Sequence, residues 1–232
     1  MSAVGGLFGR FLRLVVIGIV GLVLLSVLWV VAYRWVDPPI TWPMARDAIH
    51  GQHVERNWVP LTEIANAVPR AAIGAEDANF CNHNGFDMNA ISKAFERNAE
   101  SKKLRGGSTI SQQTAKNAFL WPDRSWVRKG LEAYFTVLIE AIWGKPRIME
   151  VYLNIAEMGP GIYGVDAAAG HYFGSSAGRL TAQQAARLVT ILPQPIKRDA
   201  ADLHGANRRH ARAIEKRIRV VRREAIDSCL RG

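Results

Sequence analysis

Two acids, Glu76 and Asp77, stand side by side at the head of the segment EDANFCNHNG, residues 76–85. Adjacent carboxylates repel, so something must hold both in place. Glu76 follows the apolar-rich run Ala71 to Ala75, where partial desolvation would raise its pKa and suit it to accept a proton near neutral pH. Asp77 can cap the turn that follows, and His83 reads as a hydrogen-bonded scaffold residue. A second segment, GGSTISQQTAKN at 106–117, places Ser108, Gln112 and Lys116 four residues apart on one helical face, with Thr109 and Gln113 beside them and Asn117 next in line. These uncharged hydrogen-bonding groups suit sugars, whereas a solvated face more usually carries Glu and Lys. The Gly-Gly-Ser entry leaves free amides at a positive helix end, and Lys116 adds a full charge, so the same face offers an anion seat.

A third segment, RSWVRKGLE at 124–132, gathers Arg124, Arg128 and Lys129 around Glu132. Alone, Arg128 and Glu132 read as an intrahelical ion pair of about 0.3–0.5 kcal/mol. With Arg124 and Lys129 beside them the group reads as a phosphate site, because guanidinium groups grip phosphate oxygens in pairs and a departing pyrophosphate needs its growing charge neutralised. KPRIMEVYLN at 145–154, the glycines at 159, 161 and 164, and LPQP at 192–195 read as structural. Tyr152 and Leu153 are expected in the core, and Glu150 and Glu157 are expected to have no catalytic role.

Helices must position these groups. Thr62 is the expected N-cap of a short helix carrying Ile64, Ala67 and Val68 and leading to Glu76. Ser108 is the expected cap of a helix running to about Leu120, closed by Trp121 and Pro122. Apolar residues from Val127 to Ile142 recur at helical spacing, Gly144 and Pro146 end that run, and another helix follows to about Ile155. Thr181 and Gln184 form a capping box for a helix reaching Leu192. In the C-terminal segment, Arg208, Arg209, Arg212, Lys216, Arg217, Arg219, Arg222 and Arg223 accompany an apolar stripe of Ile214, Ile218, Val221 and Ala225. The stripe is expected to pack on the domain. The basic face is either simply solvated or attracted to anionic lipid. Strand patterns are scarce, so the domain reads as mainly α.

Ahead of all this, Leu14 to Ala32 is an uncharged run rich in Val, Leu and Ile, long enough for a transmembrane helix. It is too long for a signal-peptide core, and Trp29, Tyr33 and Trp35 stand where a cleavage site would need small residues. Arg10 and Arg13 precede it and place the N-terminus in the cytoplasm. The expected organisation is a cytoplasmic N-terminus at 1–13, a transmembrane helix at 14–35, a membrane-proximal linker stiffened by Pro38, Pro39 and Pro43 at 36–57, and one extracytoplasmic domain at 58–232. The formal net charge is +10. Outside the membrane the anions at hand are lipid headgroups and lipid-linked phosphates, so the charge points to those and not to nucleic acid. Cys81 and Cys229 are too few for a disulfide framework and are expected to be two unpaired thiols, although an oxidising compartment would permit one bridge.

In order, EDANFCNHNG, GGSTISQQTAKN, RKGLE, KPRIMEVYLN and LPQP resemble the successive motifs of the family 51 glycosyltransferases, the peptidoglycan polymerases, over about Val59 to Pro195. The absence of a following transpeptidase domain suits the monofunctional members. The resemblance implies a mainly α, lysozyme-like domain with a small membrane-leaning jaw lobe, preceded by one transmembrane helix in the bacterial inner membrane. It implies polymerisation of lipid II, carried on undecaprenyl pyrophosphate, with the growing glycan chain, membrane lipids and cell-division or penicillin-binding proteins as partners. Glu76 matches the catalytic base and Glu132 the second essential glutamate. Ser108, Gln112, Gln113 and Lys116 match donor-site contacts, and Lys116, Arg124 and Arg128 match the cations around the pyrophosphate. Asp77, Thr109, Asn117 and Lys129 fit the substrate-binding pattern less directly. Cys81 departs from the larger polar or aromatic side chain usual at its position. A divalent cation, Mg or Mn, at the pyrophosphate is compatible with Glu132, which could equally orient Arg128 and Lys129. The competing classes are a lysozyme-like hydrolase or lytic enzyme, which would not need so many cations, and a non-catalytic membrane-anchored scaffold, which would not need the Gln-Gln helix.

Overall fold

The computed structural model of the chain describes residues 2–100, 107–123 and 125–231, so Gly106 and Arg124 of the expected site lie outside the described residues. Two units emerge, residues 1–36 and residues 37–232. The first is α1 (Ser2–Ala32), in which Gly9–Ala32 is long and apolar enough to cross a membrane. Helical structure thus continues back through the stretch assigned to a cytoplasmic N-terminus, and Tyr33 to Trp35 form a turn beyond the helix.

The second unit is mainly helical: α2 (Trp42–Ile49), α3 (Ala67–Glu76), α4 (Met88–Glu100), α5 (Ile110–Phe119), α6 (Trp126–Ile142), α7 (Lys145–Ile155), α8 (Val165–Phe173), α9 (Ala182–Ile191) and α10 (Gly205–Arg223). A small sheet joins β1 (Glu55–Arg56), β2 (Glu157–Gly159) and β3 (Ile162–Tyr163) in the order β1-β3-β2, with β3 parallel to β1 and antiparallel to β2. The membrane-proximal segment is therefore built into the domain. Pro43 sits in the first turn of α2, where its missing N–H costs nothing, and Asp47 of α2 accepts a 2.6 Å hydrogen bond from the Tyr163 hydroxyl of β3.

α5 is the pivot of the core. Ile110, Thr114, Ala115, Ala118 and Phe119 are all buried as it packs on α6 and α7, and Phe119 stacks on Phe135 of α6 at a centroid distance of 4.6 Å. α3 packs on α9 and α10. The stripe of α10 is buried at Ala211, Ile214, Ile218 and Val221, but Ala225 is not part of it: the helix ends at Arg223 and Ala225 adopts a left-handed φ of 52°. Thr62 likewise does not cap a helix. It lies in a 3-10 turn, Leu61–Glu63, and α3 starts only at Ala67. Pro69 explains the delay, since a helix begun at Glu63 would hold this proline in its interior, whereas from Ala67 it falls in the first turn.

Two long-range links fix the loop that follows Glu76. Asp77, 5 % exposed, accepts hydrogen bonds from His83 Nε2 at 2.9 Å and from the backbone N–H of Ile110 at 2.9 Å, joining the end of α3 to the start of α5. Further along, Gly85 has φ +91°, and a Cβ there would stand 2.7 Å from Thr136 Cγ2, so only glycine fits. Its carbonyl accepts a 2.6 Å hydrogen bond from the Thr109 hydroxyl. The second link corrects an expectation: Cys81 and Cys229 are joined in a disulfide, which ties this loop to the segment after α10. Folding brings together two thiols 148 residues apart, a pairing that spacing alone does not reveal.

Both links yield stability predictions. Replacing Asp77 by Ala strands the Ile110 N–H and the His83 ring and should cost about 2–4 kcal/mol in denaturant unfolding of the detergent-solubilised chain; a loss below about 0.5 kcal/mol would refute the anchoring role. Closing so long a loop should contribute about 2–5 kcal/mol, so reduction of the disulfide should lower Tm by several degrees. An unchanged Tm on reduction would show that the cross-link constrains nothing that packing does not already hold.

Candidate active site

Glu76 is the last residue of α3, and the chain turns at Asp77, so its side chain leaves the helix end instead of packing along it. Its Oε2 accepts a 3.1 Å hydrogen bond from Gln113 Nε2 of α5. The carboxyl pKa is raised, first by burial; the Gln113 hydrogen bond and the Arg198 charge pull it back, while the neighbouring Asp77 pushes it further up. Two cavities meet at this carboxyl, and Glu76 and Ser108 line both. One, of about 970 Å³, is lined by Lys116, Arg128, Lys129 and Arg198 together with Gln112 and Gln113. The other, of about 310 Å³, is lined by Asp77, Asn79, Asp87 and Asn89, with no Lys or Arg among the described residues. The carboxyl thus stands between a strongly cationic chamber and a neutral-to-acidic one.

α5 supplies the cationic wall through its capping geometry. Thr109, not Ser108, is the N-cap: its hydroxyl accepts from the Gln112 N–H, and the Gln112 carbonyl oxygen accepts from the Thr109 N–H at 3.0 Å. Thr109, at 2 % exposure, is therefore engaged within the scaffold, and Gln112 reaches the cavity with its carbonyl already bonded. Ser108, one residue outside the helix, remains exposed at the mouth of both cavities. One turn on, Lys116 is largely buried, and its pKa is lowered by burial first, with Arg128 and Lys129 adding to the fall against the opposing pull of Glu132 and Glu157. Asn117 faces a neighbouring cavity of about 500 Å³ shared with Lys116, Arg128 and Arg46.

α6 completes the wall. Ser125 caps it by accepting from the Arg128 N–H at 3.2 Å, and two cations, Arg128 and Lys129, lie in its first turns although that end already carries positive dipole charge. Glu132 is what makes this tolerable. It is 3 % exposed and binds Arg128 Nη1 at 2.9 Å through one oxygen and Lys129 Nζ through the other. Among the described residues, the buried Nε of Arg128 has no partner. Crowded cations with a depressed lysine and an idle donor are a site that gains when an anion enters.

For a divalent cation the donor set is a poor match. Among the described residues no three His, Cys, Asp or Glu converge, and both oxygens of Glu132 are held by cations. The geometry instead has Glu132 orienting Arg128 and Lys129. His83 takes the scaffold place expected of it, bonded to Asp77, and Asp77 accepts from both His83 and Ile110 while bordering the smaller cavity. Tyr152 and Leu153 are core residues, Glu150 binds the Leu61 N–H and Arg147, and Glu157 is partly buried with its pKa raised by desolvation. Sequence reasoning overlooked Arg198 and His210 on the cavity wall. Arg198 stands three residues beyond LPQP, read above as structural, and its Nη1 is steadied by the Thr190 carbonyl at 2.6 Å.

The family model described as Transglycosylase matches residues 44–224. A biosynthetic peptidoglycan transglycosylase of Caulobacter vibrioides is 52 % identical over 201 residues, covering 87 % of this chain and 88 % of that protein. One from Rhodospirillum centenum is 47 % identical over 222 residues, covering 95 % of this chain and 96 % of its own length, and one from Aeromonas hydrophila is 51 % identical over 174 residues, covering 73 % and 74 %. A family match over most of the second unit and relatives covered to 74–96 % of their length agree with the order of motifs along α3, α5 and α6: the chain belongs to the transglycosylase family.

Proposed function

We propose that the chain is a membrane-anchored peptidoglycan glycosyltransferase that polymerises lipid II into β-1,4-linked glycan with release of undecaprenyl pyrophosphate. The observation that carries this reading is the desolvated Glu76 carboxyl standing between a cationic cavity and an uncharged-to-acidic one. The cationic side receives the pyrophosphate-linked donor, and the other receives the acceptor sugar. Glu76 takes the proton of the acceptor 4-hydroxyl as that oxygen attacks the donor anomeric carbon. The bond from that carbon to the pyrophosphate oxygen breaks on the opposite face, so an α-linked donor gives a β-linked product in one displacement, without a covalent glycosyl enzyme. The electron pair leaves with the pyrophosphate, and Lys116, Arg128 and Lys129, with Arg124 expected beside them, meet the added negative charge.

Burial tunes both partners for this. Desolvation makes Glu76 a stronger base than a free carboxylate, and the Gln113 amide favours its ionised form and aims it. The Lys116 pKa is lowered by burial first and then by its cationic neighbours, so an arriving pyrophosphate favours its charged form. A hydrolase would also use a carboxyl of raised pKa, but its second carboxylate would have to be free, and Glu132 is clamped by two cations. As for place, Arg10 and Arg13 ahead of the apolar helix put the N-terminus in the cytoplasm, and the Cys81–Cys229 disulfide suits a catalytic domain in an oxidising extracytoplasmic compartment.

Glu76→Gln should lower the turnover of lipid II by about 10²–10⁴-fold while leaving lipid II binding and Tm close to wild type, measured by sizing the glycan product and by a binding titration; retention of more than about a tenth of the rate would remove Glu76 from the role of base. Lys116→Met should reduce kcat/KM by about 10²-fold. If this variant polymerised normally, the cationic cavity would not be the pyrophosphate site.

A further inference from the structure

On the α9 side of α10 lies a pocket of about 120 Å³, apart from the catalytic cavities, into which Arg187 of α9 and Arg208 and Arg212 of α10 converge over Leu203. The Arg187 guanidinium is fixed by a hydrogen bond from Nη2 to the Ala201 carbonyl and by its position over the Phe173 ring, 5.8 Å from the centroid, yet its buried Nε has no partner among the described residues. Among the described residues no carboxylate pairs with Arg208 or Arg212. The one acid in the pocket, Glu215, lies 3.7 Å from Arg219 outside it. Three guanidinium groups thus face a small space with far more donors than acceptors. Planar N–H forks of this kind match the oxygens of a phosphate.

The surroundings extend the charge. Arg209, Lys216, Arg219 and Arg223 are exposed along the same outward side of α10 as Arg208 and Arg212, and the residues from 208 to 223 span roughly 22 Å of helix. The buried stripe of Ala211, Ile214, Ile218 and Val221 holds the helix by its opposite side, so the row is rigidly presented. A row of that length suits an extended anionic surface, with the pocket as its one specific notch.

We propose that Arg187, Arg208 and Arg212 form a phosphate-binding pocket, and that its ligand is the headgroup phosphate of an anionic phospholipid in the bilayer to which the chain is anchored. The pocket is independent of the catalytic reading, since none of its residues lines the cavities at Glu76. It gives the basic face of α10 a specific task in place of general solvation.

The test uses the full chain in nanodiscs of phosphatidylcholine, with or without phosphatidylglycerol, treated with phenylglyoxal and mapped by mass spectrometry. Phosphatidylglycerol should slow modification of Arg187, Arg208 and Arg212 by at least about fivefold at low salt, less so at high salt, and should leave the exposed Arg179 unchanged. In the Arg208→Ala/Arg212→Ala variant, whose replaced side chains are exposed, Arg187 should lose that protection at unchanged Tm. Equal slowing at Arg179 would overturn the pocket in favour of unspecific attraction. Protection by millimolar inorganic phosphate in phosphatidylcholine discs, with no effect of phosphatidylglycerol, would overturn the lipid as ligand, as would protection seen only with soluble glycan-peptide product.

Discussion

The site depends on one buried carboxylate whose oxygens are held by the scaffold, although it borders the smaller cavity beside Glu76. Asp77 holds the end of α3 against the start of α5 by accepting from His83 and from the first N–H of α5, where negative charge is favoured by the helix dipole. Glu76 is its immediate neighbour, and the same contact therefore sets how far Glu76 stands from Gln113. A second layer secures the first: Lys145 reaches from α7 to the His83 carbonyl at 2.6 Å and to Glu140 of α6, which also accepts from Ser111 of α5. Three helices and the loop are thus referenced to one point, and the disulfide at Cys81 pins that loop from the far end of the chain.

Around this frame, two adjacent carboxylates have been given opposite environments. Asp77 is surrounded by donors, whereas Glu76 is desolvated and faces open cavities with one neutral donor. Pairs separated in this way by their surroundings are how a fold assigns a structural and a chemical task to like groups. The same logic runs through α6, where Glu132 is surrendered to two cations so that a crowded basic wall can exist before any anion arrives.

Much of this was legible in the sequence, because helix periodicity and capping are local. The span of α6, the capping box at Thr181 and Gln184, and the start of α7 after Gly144 were all readable from residues within a few positions. Thr109 and Gln112 repeat the same Thr-x-x-Gln signature, and applying it there would have moved the cap of α5 from Ser108 to Thr109. The missing parts are those set by distant residues. The Asp77 contact spans 33 residues and the Cys81–Cys229 bond 148, and Arg198 reaches Glu76 only because α9 packs on α3. Periodicity also ran past the true end of α10, since Ala225 fits the stripe by spacing but lies beyond a turn that only the backbone reveals.

The central claim is that Glu76 acts as a base whose affinity for protons is set by desolvation against the Gln113 hydrogen bond, and the pH dependence of kcat/KM for lipid II addresses it directly. Activity should rise with pH through an apparent pKa above the ordinary glutamate value, because the base works only when ionised. Gln113 lowers the carboxyl pKa, so Gln113→Ala should move this acidic limb to still higher pH, whatever it does to the maximal rate. A limb at the ordinary carboxylate value, or one that stays in place in the Gln113 variant, would contradict the account.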